Sequence, residues 1–165
     1  MTPDVLIPRP ETEVLVEAVL ALQPARIAEI GTGSGAVSAA LARELPDASI
    51  VAVERSPAAL AVASLNLETL GLSDRVQLGS GDGLSGLAPG FDLIVSNPPY
   101  VRSADLAGLA PDLQHEPREA LDGGPDGLDL IEALCREAPG YLGEGGHLAL
   151  VGAAGQAAVI SERMR

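Results

Sequence analysis

Two short segments carry residue types whose spacing suits chemistry. The first is Glu29-Ile30-Gly31-Thr32-Gly33-Ser34-Gly35, directly after a short apolar run. Alternating glycines permit positive φ and let a ligand come close to the backbone. Glu54 lies 23 positions beyond Gly31, at the end of the next apolar run. A carboxylate there suits a bidentate hydrogen bond to both ribose hydroxyls of a nucleoside. A tight strand-to-helix turn without a ligand is the plainer alternative. Gly31, Gly33 and Ala36 also satisfy the loose dinucleotide fingerprint, so the loop alone leaves a nicotinamide cofactor open. Asp82 with Gly83 suits an adenine amino group, although an Asp-Gly turn has the same composition.

The second segment is Ser96-Asn97-Pro98-Pro99-Tyr100. Consecutive prolines lack backbone donors and fix φ, which holds their carbonyls stiffly as acceptors. The Asn97 side chain supplies an acceptor and a donor, and Tyr100 a flat apolar face. These groups suit a planar –NH₂ on a conjugated system. The Asn97 side chain and the Pro98 carbonyl can grip both N–H bonds while Tyr100 stacks on the plane. Such a nitrogen is a poor nucleophile because its lone pair is delocalised. Hydrogen bonding that favours developing positive charge, with alignment against an electrophile, lowers that barrier. No general base is required if the proton leaves after the transfer. A strand-terminating Pro-Pro turn is the structural alternative.

Both segments need elements that bring them together. Pro10 suits the first turn of a helix, and Leu15, Ala18, Val19 and Leu22 predict a helix over 11–22 with that face buried. Apolar runs predict strands at 26–30, 50–53, 75–78, 91–95 and 147–151. Helices are expected at 36–45, through Leu60, Ala63, Leu67 and Leu70, at 126–138, and in the tail. Strands alternating with helices imply an α/β, Rossmann-like fold: a mostly parallel sheet with helices on both faces. Such a sheet binds its ligand at the carboxyl ends of the strands, near the topological switch point. Residues 100–125 show little periodicity and read as a long functional loop.

Composition narrows the classes further. The 165 residues are 47% hydrophobic and 20% charged, enough apolar material for one packed domain. Phe91, Tyr100 and Tyr141 are the only aromatics, so the core must be aliphatic. A net charge of −13 disfavours a nucleic-acid backbone as partner. With Cys135 as the single cysteine there is no disulfide framework or cysteine-rich zinc site. No apolar run reaches the length of a membrane span, and the N-terminus has no leader pattern. A cytoplasmic protein without membrane association is expected. Cys135 reads as a buried inert thiol, His115 as a solvated loop residue and His147 as structural. Arg9, Glu11 and Glu13 either order the substrate-side loop or cap the first helix.

The glycine loop, Glu54 and Asn-Pro-Pro-Tyr, in this order, resemble class I S-adenosylmethionine-dependent methyltransferases acting on amino or amide nitrogen. Leu6-Ile7-Pro8-Arg9-Pro10-Glu11-Thr12-Glu13 is similar to a signature of the protein-glutamine N5-methyltransferases, the HemK/PrmC family. So is Glu116-Pro117-Arg118-Glu119-Ala120-Leu121-Asp122-Gly123-Gly124, followed by Asp126-Gly127-Leu128. The resemblance implies one methyltransferase domain over 1–165, with a leading segment and helix at 1–24 and a substrate-side loop at 100–125. It implies S-adenosyl-L-methionine as cofactor and S-adenosyl-L-homocysteine as product. Glu29, Gly31, Thr32, Gly33, Ser34 and Gly35 would then line the methionine part, Glu54 the ribose, and Asp82 with Gly83 the adenine. Asn97, the main catalytic residue, would hold the substrate amide with Pro98, Pro99 and Tyr100, beside the cofactor. The substrate implied is the glutamine of the Gly-Gly-Gln loop in peptide-chain release factors.

Members of the family carry a helical domain before this region and a strand pair after it. A catalytic domain lacking the terminal strand pair is therefore expected. Val151 also stands where many relatives have Glu. Three alternatives stay open: a nucleic-acid amino-methyltransferase, a nicotinamide-dependent oxidoreductase, and a cofactor-binding domain without turnover. The −13 charge and scarcity of aromatics oppose the first. The oxidoreductase leaves Asn-Pro-Pro-Tyr without a purpose.

Overall fold

The computed structural model describes residues 2–111 and 113–164. Five parallel strands form one sheet, in the order β3-β2-β1-β4-β5. They are β1 (Arg26–Ile30), β2 (Ser49–Glu54), β3 (Val76–Ser80), β4 (Phe91–Ser96) and β5 (Leu142–Leu150). The helices are α1 (Pro10–Leu20), α2 (Ala36–Glu44), α3 (Pro57–Thr69), α4 (Arg118–Leu121), α5 (Asp129–Glu137) and α6 (Ala157–Arg163). The chain builds outward from β1 through β2 to β3, then crosses back to β4 on the other side of β1. That reversal is the switch point, and the segments after β1 and β4 flank it.

Central strands of such a sheet are covered on both faces, so their sequences run apolar without alternation. Ile27, Leu93 and Val95 pack on one face with Leu15 and Val19 of α1, Leu41 of α2 and Leu67 of α3. Ala28, Ile30 and Ile94 pack on the other with Leu84, Phe91 and Leu134 of α5. Leu41, Leu93, Ile94 and Leu134 are all fully buried. Each such side chain contributes about 1.5–3 kcal/mol of transfer free energy. Among the described residues no helix is long and apolar enough to cross a membrane.

Several expectations shift in position. Helix α1 starts at Pro10 and buries Thr12, Leu15 and Val19, whereas Ala18 and Leu22 are exposed. It stops short of residue 22 because Gln23 takes φ +50 ahead of Pro24, a conformation no right-handed helix contains. Leu70 lies past the end of α3 and is exposed. Strand β5 begins five residues before the expected 147, through Gly143, Gly145 and Gly146. Those glycines conceal the strand from a reading by side chain, and the β4–β5 register shifts between Phe91 and Leu93 there. Residues 100–125 are more ordered than their composition suggests. Ser103–Gly108 and Leu113–His115 form 3₁₀ turns and Arg118–Leu121 a short helix.

Candidate active site

The loop after β1 is shaped by its own backbone. Gly31, Gly33 and Gly35 have φ of +72°, +54° and +78°, where a side chain is strained. A Cβ on Gly31 or Gly33 would meet nothing within 4 Å, so these two positions face open space. At Gly35 a Cβ would come within 3.3 Å of Ala63, which fixes the close approach of α2's start to α3. Gly31 and Thr32 donate their N–H groups to the Val53 carbonyl at 2.8 and 3.1 Å, tying the loop to β2. Asn66 of α3 donates to the Ser34 carbonyl at 2.8 Å.

Two buried carboxylates hold this loop. Glu54 accepts from the Gly33 N–H and the Ser56 N–H, each at 2.9 Å, and is 8% exposed. Glu29 Oε2 accepts from Thr32 Oγ1 at 2.8 Å, from the Ser38 N–H at 3.1 Å and from Ser38 Oγ. Burial pushes the Glu29 carboxyl up to about 7, and the charge of Glu54 adds to that rise. The hydrogen bonds from Ser38 and Thr32 oppose it.

A cleft enclosing about 930 Å³ of empty space, part of it open to solvent, runs along the carboxyl ends of β1 to β4. Glu29, Gly31, Thr32, Gly33, Ser34, Glu54, Asp82 and Gly83 all line it, as do Asn97 and Pro99. Gly35, Pro98 and Tyr100 do not. The Tyr100 side chain is half-buried against Leu128, Ile131 and Cys135. Its apolar ring gains more from that aliphatic cluster than from the open cleft.

Asn97 sits just past β4, whose end is fastened to β1 by Ser96 Oγ donating to the Ile30 carbonyl at 2.6 Å. Its Nδ2 donates to Thr12 Oγ1 at 3.4 Å. Its Oδ1 is buried and accepts nothing, the one such side-chain polar atom among the described residues. Leaving a buried acceptor unpaired costs about 1–3 kcal/mol. An acceptor left so at the edge of a cleft is a place for a ligand's N–H.

The site also uses residues that motif reasoning did not single out for it. Asp4, Val5, Leu6, Pro8 and Thr12 bring the leading segment into the lining, and Pro117, Glu119 and Ala120 bring in the distant loop. The two are joined: Arg9 pairs with Glu116, whose side chain is 6% exposed, and Ile7 N–H donates to the same carboxylate at 3.4 Å. Arg9 thus ties the leading segment to the 100–125 loop, while Glu11 and Glu13 lie exposed in the first turn of α1. The apolar Val5-Leu6-Ile7 among prolines was the available signal, since it can be neither helix nor solvated linker. His115 and His147 are exposed, and Cys135 is buried, with burial pushing its thiol pKa up. Among the described residues no group of three or more His, Cys, Asp or Glu could hold a metal ion.

The residues after Tyr100 are braced by the Asp122-Gly123-Gly124 turn. Val101 N–H donates to the Leu121 carbonyl at 3.0 Å, and Gly123 N–H to the Val101 carbonyl at 2.8 Å. Asp122 accepts from Ser103 Oγ, the Gly124 N–H and Arg118, contacts that hold its carboxyl below the ordinary range. A Cβ on Gly123 would fall 2.6 Å from the Pro99 carbonyl, and one on Gly127 2.4 Å from the Tyr100 carbonyl. Gln156 Nε2 donates to the carbonyls of Tyr100 and Gly127, both at 3.1 Å.

Known proteins resemble the chain in sequence and fold. The chain is 47% identical over 162 residues to a release factor glutamine methyltransferase of Gloeobacter violaceus, covering 94% of this chain and 57% of that one. It is 53% identical over 155 residues to the protein of that name from Moorella thermoacetica, covering 91% of this chain and 55% of that one. The chain therefore spans a little over half the length of these relatives. A crystal structure of a methyltransferase from Pyrococcus furiosus superposes with a TM-score of 0.72 at 25% identity, over 99% of this chain and 74% of that one. The fold is accordingly the class I methyltransferase fold. A family model described as "Methyltransferase small domain" matches residues 10–161, and the chain belongs to that family.

Proposed function

We propose that this chain is the S-adenosylmethionine-dependent domain of a protein-glutamine N5-methyltransferase acting on the Gly-Gly-Gln loop of peptide-chain release factors in the cytoplasm. The observation that carries this reading is the buried, unpaired Oδ1 of Asn97 at the edge of the cleft. The names of the relatives point to the same substrate.

The cleft fits S-adenosylmethionine by its acceptors and its shape. Gly31 and Gly33 leave open space where a Cβ would stand, Glu54 offers a buried carboxylate, and Asp82 lies exposed in the lining. In this reading Glu29, Gly31, Thr32, Gly33 and Ser34 hold the methionine end, with Gly35 setting the packing behind them, Glu54 the ribose, and Asp82 with Gly83 the adenine. When bound, S-adenosylmethionine supplies the electrophilic methyl group. Asn97 Oδ1 accepts one N–H of the substrate amide and the Pro98 carbonyl the other. These acceptors stabilise the positive charge that grows on nitrogen as its lone pair is used. Pro99 shapes the wall, and Tyr100, its ring packed on Leu128, Ile131 and Cys135, anchors the end of the segment. A surface groove that shares Arg55, Pro117 and Glu119 with the cleft gives a polypeptide its way in.

The test is Asn97→Ala, assayed for methyl transfer to a release factor and, separately, for S-adenosylmethionine binding by calorimetry. The reading predicts a loss of at least a hundredfold in kcat with the cofactor Kd changed by less than threefold. Near-normal turnover in that variant contradicts it.

A further inference from the structure

Asn97 presents two chemically opposite ends on a nearly symmetric amide. Turning it by 180° about its terminal torsion exchanges an acceptor for a donor at little cost in shape. An amide substrate needs the acceptor, so the side chain must be held in place with Oδ1 unspent. Asn97 Oδ1 has no partner, which leaves Nδ2 as the only end that is held. Its partner is Thr12 Oγ1, at 3.4 Å. Thr12 is 8% exposed, one of few buried polar residues outside the glycine loop, and lines the same cleft. A serine or threonine hydroxyl is not an obvious choice for the buried face of a helix otherwise closed by Leu15 and Val19.

Its placement is fixed from two sides. Thr12 N–H donates to the Arg9 carbonyl at 2.9 Å, at the start of α1. Arg9 is itself clasped by Glu116 of the distant loop. The hydroxyl is thus held at one place relative to the end of β4, although 85 residues separate Thr12 from Asn97.

We infer that Thr12 is a positioning residue for amide methylation: its hydroxyl accepts from Asn97 Nδ2 and so anchors the side chain with Oδ1 left free of protein partners, as the acceptor for the substrate N–H. This inference deepens the glutamine reading and rests on it. One net hydrogen bond of ordinary strength changes the population of the anchored side chain by at most about fivefold. Thr12→Val keeps the shape and removes the acceptor; Thr12→Ser keeps the acceptor and removes a methyl.

The experiment uses the 165-residue chain with S-adenosylmethionine and release factor, in the wild type and both variants, after equal melting profiles establish folding. Thr12→Val is expected to lower kcat by about two- to fivefold, with the cofactor Kd and the KM for release factor within twofold. Thr12→Ser is expected to retain at least half of kcat. A second readout needs no turnover. The chain has only two asparagines, Asn66 and Asn97, so asparagine-labelled protein gives two side-chain NH₂ pairs in a nitrogen–proton NMR spectrum. Asn66, bonded to the Ser34 carbonyl at 2.8 Å, is the internal reference. In Thr12→Val the Asn97 pair shifts and exchanges faster with solvent while the Asn66 pair stays put. An Asn97 pair unmoved in Thr12→Val overturns the inference, as does kcat within twofold of wild type. Equal losses in Thr12→Ser and Thr12→Val also overturn it, because they assign the effect to the methyl group. If the wild type methylates no release factor, the glutamine reading fails, and the NMR comparison still tells whether Thr12 anchors Asn97.

Discussion

Asn97, Glu54 and Glu29 show how a buried polar group can be read by counting its partners. Asn97 lacks one acceptor contact and Glu54 has both oxygens engaged by backbone N–H groups, so the first waits for a ligand while the second also shapes the loop. Glu54→Ala is therefore expected to raise the Kd for S-adenosylmethionine at least tenfold in calorimetry, and an unchanged Kd removes Glu54 from the site. Glu29 makes a different prediction. Its folded-state pKa of about 7 lies above the ordinary 4.5, so the folded protein binds this proton more tightly than the unfolded chain. The stability this contributes is complete below about pH 4.5 and is lost as pH rises through about 7. Glu29→Gln stays neutral throughout. Without cofactor it should melt close to wild type at pH 5 and above it at pH 8, a relative gain on the order of 3 kcal/mol. Parallel curves of melting temperature against pH would contradict this.

At the scale of elements, the glycines separate into those that serve the cleft and those that serve packing. Gly31→Ala strains φ +72 but meets no neighbour, costing about 1–2 kcal/mol and placing a methyl in the cleft. Gly127→Ala puts a Cβ 2.4 Å from the Tyr100 carbonyl and 2.7 Å from Gln156 Nε2, in addition to strain at φ +79. It should cost at least twice as much stability in urea titration, with loss of turnover following from displacement of the Tyr100 backbone. Equal stability of the two variants would argue against the brace. Most strands and both chemical segments were legible because parallel strands are apolar runs and loops at their ends are marked by glycine and proline. What was not legible depended on partners far away in the chain. The Asp122-Gly123-Gly124 turn has meaning only against Val101, the Arg9–Glu116 clasp only across 107 residues, and β5 hides behind glycines that carry no side-chain pattern. Tyr100 illustrates the opposite error: a loop aromatic suggested a stacking face toward the cleft, and its ring is packed on Leu128, Ile131 and Cys135 instead.

For the whole molecule, the sheet order brings the glycine loop after β1 and the Asn97 segment after β4 to one switch point, side by side by topology alone. A charge of −13 makes the surface repel polyanions, which favours a polypeptide over DNA as substrate in the proposed reaction. The most direct test offers methyl-labelled S-adenosylmethionine to this chain with a release factor and with DNA in parallel, followed by mass spectrometry of the labelled product. A single methyl on the glutamine of the Gly-Gly-Gln loop, with DNA unlabelled, is the predicted result. Label on DNA, or on a release-factor residue other than that glutamine, would contradict the assignment.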